Sequence, residues 1–100
     1  MKNNYFPLGT ILLSRSVGDL VAIDTPFTKF IIFSLNRHKS LDWGDCGEED
    51  TDNNNLALSN GSRLFSVYNI PKPLLISELK IWIITEADRK STTVLFPSEY

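Results

Sequence analysis

The chain predicts an α+β fold, a small antiparallel sheet of three to four strands packed against two to three helices. Three observations carry this. Residues 62–68 and 80–96 hold β-rich runs in which Leu64, Ser66 and Tyr68 alternate with Arg63, Phe65 and Val67, and Ile81, Ile83 and Thr85 with Trp82, Ile84 and Glu86. The polar stretch Thr85-Glu86-Ala87-Asp88-Arg89 interrupts the last two runs, so residues 81–86 and 92–96 read as a hairpin. Upstream, Phe27, Phe30, Ile31, Ser34, Leu35 and His38 recur at helical spacing on one face.

Taken in order, Tyr5-Phe6-Pro7-Leu8-Gly9 leads into Thr10-Ile11-Leu12-Leu13-Ser14, an apolar run beside Gly and Pro that suits a strand. Gly18 weakens a helix starting at Ser16, so residues 16–23 are a short helix or a turn. Thr25 then caps a helix with Pro26 at its first position, and the pattern runs to Lys39. Residues 42–52 have two glycines and no apolar period, which predicts a loop merging into a helix near Thr51 or Asp52, either of which can cap it. That helix reaches Ser59 and stops at Asn60-Gly61, with Leu56 and Ala57 facing inward. Pro71 and Pro73 forbid a central strand, leaving 69–79 as an extended connection whose Leu74-Leu75-Ile76 packs on the domain or pairs at a sheet edge. Pro97 ends the last strand. The short Asn53-Asn54-Asn55 tract carries no signal of its own.

A chain of 100 residues, 42% apolar with two tryptophans, supports one domain over 1–100. The net charge of −2 is too small to demand a nucleic-acid partner. The charge is uneven, however: residues 1–41 carry five Lys or Arg against Asp19 and Asp24, whereas Asp42, Asp45, Glu48, Glu49, Asp50 and Asp52 crowd one basic-free segment. Cys46 stands alone, which excludes an intramolecular disulfide or a cysteine-built zinc site and suits a reducing cytoplasm. No apolar run approaches the ~20 residues of a membrane span, and no basic stretch precedes an apolar core at the N-terminus. A soluble cytoplasmic protein with no membrane partner is expected.

Phe6-Pro7-Leu8-Gly9, Arg37-His38 followed by Asp42-Trp43-Gly44-Asp45, Arg63-Leu64 with Ser66-Val67-Tyr68, and Trp82-Ile83-Ile84-Thr85-Glu86-Ala87-Asp88-Arg89 with Thr92-Thr93-Val94-Leu95 and Pro97-Ser98-Glu99-Tyr100 run through nearly the whole chain. In these motifs it resembles a family of small bacterial proteins of plasmids and other mobile elements, some labelled type I restriction methylation subunits. It departs where residues 70–79 lengthen a connection that is a tight turn in the family. The methylation label fails on physical grounds. A methyltransferase needs a Gly-rich strand-to-helix turn for its cofactor and a polar-Pro-Pro-aromatic motif, inside a sheet larger than this chain allows. What the resemblance implies is an accessory protein travelling with restriction or other defence systems.

No residue pattern specifies a metal or a cofactor, and none is expected. The acidic segment lacks the Asp-x-Asp-x-Asp-Gly spacing of a Ca²⁺ loop, with Gly44 and Gly47 at the wrong offsets. His38 in a last helical turn suits the negative end of the dipole and a terminal carbonyl. Glu86 and Asp88 with Arg63 and Arg89 read as an ion-pair network at the hairpin end. The favoured function is a protein-binding one, at a surface where the acidic loop meets the Glu86–Arg89 turn. There Trp43 anchors the loop, Asp45 reaches Arg89 or Arg63, and Glu48, Glu49 and Asp50 meet a basic partner. Exposure of the whole Trp82 and Ile84 face would imply a homodimer or partner interface. The second reading is a small hydrolase or other enzyme using His38, Asp45, Glu86 and Arg89. Direct nucleic-acid binding is disfavoured by charge.

Overall fold

Pairing follows the alternation of the β-rich runs. In a computed structural model, which describes residues 6–100, β1 (Thr10–Leu13), α1 (Arg15–Ile23), α2 (Thr25–Lys39), α3 (Glu48–Asn60), β2 (Leu64–Asn69), β3 (Lys80–Thr85) and β4 (Ser91–Leu95) follow in chain order. Tyr5 of the expected first strand approach lies outside the described residues. The four strands form one sheet in the order β1-β4-β3-β2. β2 pairs antiparallel with β3, and β3 antiparallel with β4, which makes the expected hairpin. The sheet is mostly antiparallel, but β1 lies parallel to β4 with Ile11 opposite Thr92 and Leu13 opposite Val94. The long crossover through all three helices permits that parallel return.

The period of two sorts the side chains. Tyr68, Ile81, Ile83 and Val94 point to one face, where Val17 of α1 and Phe27 and Ile31 of α2 cover them to form the main core. Phe65, Trp82, Ile84 and Leu95 point to the other, where Ile84 and Leu95 are buried and Phe65 and Trp82 are half-buried. Both faces are thus partly covered, as the pattern required. Phe6, Trp43, Ala57 and Leu64 make a second, smaller cluster between α3 and the sheet.

Several boundaries differ from expectation for identifiable reasons. Residues 15–23 are a true helix: Ser14 accepts from the Val17 amide, and Gly18 packs beside the Leu13 side chain, where even a Cβ would make an ordinary contact at 3.8 Å. The cap of α2 is Asp24, not Thr25. Its carboxylate accepts from the Phe27 amide at 2.9 Å, leaving Thr25 and Pro26 as the first helical residues. α3 starts at Glu48, earlier than Thr51 or Asp52, with Gly47 making no side-chain cap. Glu48, Glu49 and Asp50 occupy its first turn, where carboxylates favour the unpaired amides and the positive end of the dipole. The Asn54 side chain, bonded to the Phe65 backbone, sets the rotation of α3, so Asn54 and Ala57 face inward and Leu56 outward. Gly61 closes α3 in the left-handed region (φ 79°), the expected stop. In the 70–79 connection, a 3-10 turn over Lys72–Leu74 lets Leu74 and Ile76 pack on the core while Leu75 is 90% exposed.

Candidate functional site

Strand register puts Phe65 opposite Ile84 and Val67 opposite Trp82, so Phe65 and Trp82 are diagonal neighbours on one face. Their rings meet edge to face at 5.2 Å. Tyr100 adds a third ring, edge to face with Trp82 at 5.5 Å. It is delivered by a 3-10 turn over Pro97–Glu99 that Glu99 staples to the start of α1. The Glu99 carboxylate accepts from Ser14 Oγ (2.6 Å), the Ser16 amide (3.1 Å) and the Phe96 amide (2.9 Å). Partial burial opposes ionisation of Glu99, and these hydrogen bonds outweigh it, lowering its pKa.

Opposite these rings stands the first half of α3. Asp50, Asn53 and Asn54 with Arg63, Phe65, Trp82, Ile84 and Tyr100 line an open cleft of about 370 Å³. Arg63 is held along one wall, its Nη2 donating to the Tyr100 hydroxyl at 3.4 Å and its Nε 3.9 Å from Glu86. Asn54 is 2% exposed and belongs to the wall's framework: its amide donates to the Phe65 carbonyl (2.6 Å) and accepts from the Phe65 amide (2.9 Å). It acts as a side-chain substitute for a neighbouring strand. Of the exposed carboxylates at the start of α3, Glu48, Glu49, Asp50 and Asp52, Asp50 lines the cleft.

The segment after α2 brings Trp43 and Asp45 to β2. Leu41 (φ 70°) turns the chain, with the Leu41 and Asp42 amides donating to the His38 and Arg37 carbonyls. Asp42 then takes the Arg37 guanidinium in a fork at 2.7 and 3.1 Å, and that hydrogen-bonded pairing holds its carboxyl below the usual range. Residues 43–45 bridge β2 in parallel: the Val67 amide donates to the Trp43 carbonyl and the Asp45 amide to the Val67 carbonyl. Gly44 (φ 74°) is required here, because a Cβ would lie 2.1 Å from the Val67 carbonyl oxygen. Trp43 is buried, as expected of an anchor, and its indole donates to Asn55. Asp45 does not reach Arg89 or Arg63. The bridge places it beside Asn69, from whose amide it accepts at 2.9 Å, at the end of β2 away from Arg63, roughly 20 Å along the chain.

Arg89 also departs from the expected ion-pair network. Its guanidinium donates to the carbonyls of Ser62 (2.7 Å), Glu86 (3.1 Å), Ala87 (3.2 Å) and Ala57 (3.1 Å), clamping the hairpin turn to the C-terminal end of α3. Asp88 accepts from the Lys90 amide within the turn. Glu86 pairs only loosely with Arg63, both about half exposed.

His38 is fully buried, edge-on to Phe6 and Trp43. Rather than meeting a terminal carbonyl, Nδ1 lies 2.5 Å from Ser66 Oγ and Nε2 2.9 Å from Thr85 Oγ1. Thr85 continues to Thr92 (2.7 Å), whose hydroxyl donates to the Leu8 carbonyl (2.7 Å). Burial, with Arg89 adding, pushes the imidazole pKa down to about 3.

His38, Asp45, Glu86 and Arg89 therefore do not converge. The histidine has both nitrogens engaged away from solvent, and Asp45 lies at the far end of the sheet. Cys46 is half-buried, and burial pushes its thiol pKa up, away from a reactive thiolate. Among the described residues no group of three or more His, Cys, Asp or Glu is placed to hold a metal, and no helix is long and apolar enough to cross a membrane. What the fold assembles is a cleft with aromatic walls, one lining carboxylate (Asp50) and one lining guanidinium (Arg63), at the acidic start of α3. Of the candidate binding residues, Asp50 and Arg63 line it and Glu86 adjoins it through Arg63. Phe65, Asn53 and Tyr100 are not among the candidates that the sequence offers, and Trp82 is there only as part of a sheet face whose exposure would imply an interface. For Phe65 and Trp82 the signal was present, two aromatics on the sheet face that the main helices do not cover. Tyr100 had none, since its place depends on Glu99 reaching α1. No protein-family model, curated protein or solved structure matches the chain.

Proposed function

We propose that this protein is a non-catalytic binding module that captures a basic segment of a protein partner in the Trp82 cleft. The observation that carries this is the pairing of three aromatic rings with Asp50 in one open cleft, beside the exposed carboxylates of the first turns of α3. An arginine or lysine entering it stacks on Trp82 or Tyr100 while its charge meets Asp50, two attractions that reinforce one another. Arg63 also lines the cleft, but Glu86 stands beside it, and the acidic first turns of α3 carry Glu48, Glu49 and Asp52 besides Asp50. The resemblance to mobile-element proteins supports a role as an accessory factor acting on a host defence or restriction component. The enzyme alternative has no geometric support, because its proposed residues are spread over both ends of the sheet and its one histidine is enclosed.

The test is an NMR titration of the protein with a short arginine-containing peptide and a matched glutamine peptide. The arginine peptide is expected to shift the Trp82 indole and the Asp50, Asn53 and Arg63 amides, and Asp50→Asn to weaken it several-fold. Equal response to both peptides, or shifts elsewhere only, would refute the proposal.

A further inference from the structure

We propose that the free edge of β1 is a homodimer interface, at which a second copy of this chain adds its own β1 antiparallel across a two-fold axis at Leu12. The fold treats its two sheet edges differently. At β2, every outward-facing residue is occupied: Phe65 by Asn54, Val67 by Trp43 and Asp45, and the Asn69 amide by the Asp45 carboxylate. At β1, the Thr10 amide donates to the Lys90 carbonyl and the Ser14 amide to the Val94 carbonyl. Thr10, Leu12 and Ser14 thus face β4, and the main-chain groups of Ile11 and Leu13 point outward. No described residue pairs with them.

An open edge is ordinarily guarded by lysine, proline, a bulge or a covering loop. β1 has none of these among the described residues. It presents Ile11, Leu12 and Leu13 at 40%, 47% and 38% exposure. Main-chain donors and acceptors alternating along an extended edge are satisfied by another extended strand and by little else in a protein.

A second copy is the occupant because the outward residues match themselves. Ile11 faces Leu13 of the second copy and Leu13 faces Ile11, giving about four ladder hydrogen bonds and leaving Leu12 against Leu12 at the axis. That central site is a non-hydrogen-bonded pair, where side chains approach most closely, and β1 carries no charge to oppose its own image. The match buries all three apolar side chains of each copy further. The sealed β2 edges then terminate the doubled sheet, so the assembly closes as a dimer rather than growing into a fibre. With so short a ladder the dimer belongs to the weak, concentration-dependent class.

Sedimentation equilibrium of the full chain, from low micromolar to near-millimolar concentration, is the first arm of the test. The expected result is a monomer–dimer equilibrium that Ile11→Pro shifts to monomer. Proline there removes an outward amide without touching the β4 ladder, so circular dichroism stays unchanged. Leu12→Lys, which sets like charges across the axis, gives the same shift should the proline variant fold poorly. The second arm is disulfide trapping in a Cys46→Ser background. Leu12→Cys is expected to crosslink under mild oxidation, because the paired Cα atoms lie ~4.5 Å apart, within disulfide reach. Thr10→Cys, on the same face but opposite Ser14 of the second copy, is expected not to. A monomer at every concentration, a dimer that survives Leu12→Lys, or equal crosslinking at 10 and 12 would overturn the proposal.

Discussion

The Leu8 carbonyl can only accept, and this orders the buried hydroxyl chain that ends on it. Thr92 donates to Leu8, so Thr85 must donate to Thr92, and Thr85 in turn accepts from an Nε2–H of His38. Nδ1 is left as the acceptor for the Ser66 hydroxyl. A neutral imidazole satisfies every link, whereas a second proton would bury a charge and reverse the Ser66 bond, leaving the Ser66 hydroxyl proton to find another acceptor. The pH dependence follows. In the unfolded chain the imidazole titrates near 6.5, and in the fold at about 3. Between these values the unfolded state binds the extra proton, so stability is complete above pH 6.5 and falls as pH drops toward 3, by roughly 3–5 kcal/mol in all. The lowered carboxyls of Asp42 and Glu99 add to the loss in stronger acid. Urea unfolding between pH 7 and 5 is expected to show a falling midpoint in the native chain and a nearly flat one in His38→Gln, which retains a donor and an acceptor but no titration in that range. The position of His38 in the last turn of α2 was legible in the sequence. Its role was not, because burial depends on Phe6, Trp43 and Thr85, none of them in the local helical pattern.

Between elements, the most consequential contact is the one Asn54 makes along β2, and it shows what periodicity can and cannot reveal. Alternation in 64–68 and 81–86 identified the strands and the hairpin, because apolar side chains on both faces leave few other options. The helix over 25–39 was equally legible from its spacing, while its cap was misassigned by one residue since Asp24 and Thr25 are both competent caps. The start of α3 is hard to read because its first turn is carboxylates rather than an apolar stripe, and which of three consecutive asparagines faces the sheet depends on the β2 backbone beside it. The parallel placement of β1 was not legible, since pairing direction depends on where the chain returns after the helices. Asn54→Asp is expected to destabilise by roughly 2–4 kcal/mol, because a buried carboxylate would face the Phe65 carbonyl that the amide now satisfies. Asn53→Asp, one residue away on the exposed side, should stay within about 0.5 kcal/mol. Denaturant unfolding of the two variants side by side checks the contrast, and equal effects would remove the side-chain strand from the account.

At the scale of the molecule, the net charge of −2 understates the field a partner meets. Asp42 is spent on Arg37 and Asp45 on the Asn69 amide, whereas Glu48, Glu49, Asp50 and Asp52 remain exposed together at the start of α3. Exposed carboxylates act over about a Debye length, ~8 Å at physiological salt, so they guide approach more than they hold the bound state. The cleft rings act only on contact. The two contributions should therefore separate kinetically. In stopped-flow binding of an arginine-rich peptide, the Glu48→Gln, Glu49→Gln, Asp50→Asn triple variant is expected to lower the association rate about tenfold at low salt and to flatten its salt dependence. Trp82→Ala is expected to leave that salt slope intact and to raise the dissociation rate, since it removes contact area and a cation-stacking surface rather than long-range charge. The triple variant also loses carboxylates that favour the α3 N-terminus, so the kinetics belong well below its unfolding midpoint. If both variants changed only the dissociation rate, the carboxylates would serve the α3 N-terminus alone, and the acidic start of α3 would have no part in capture.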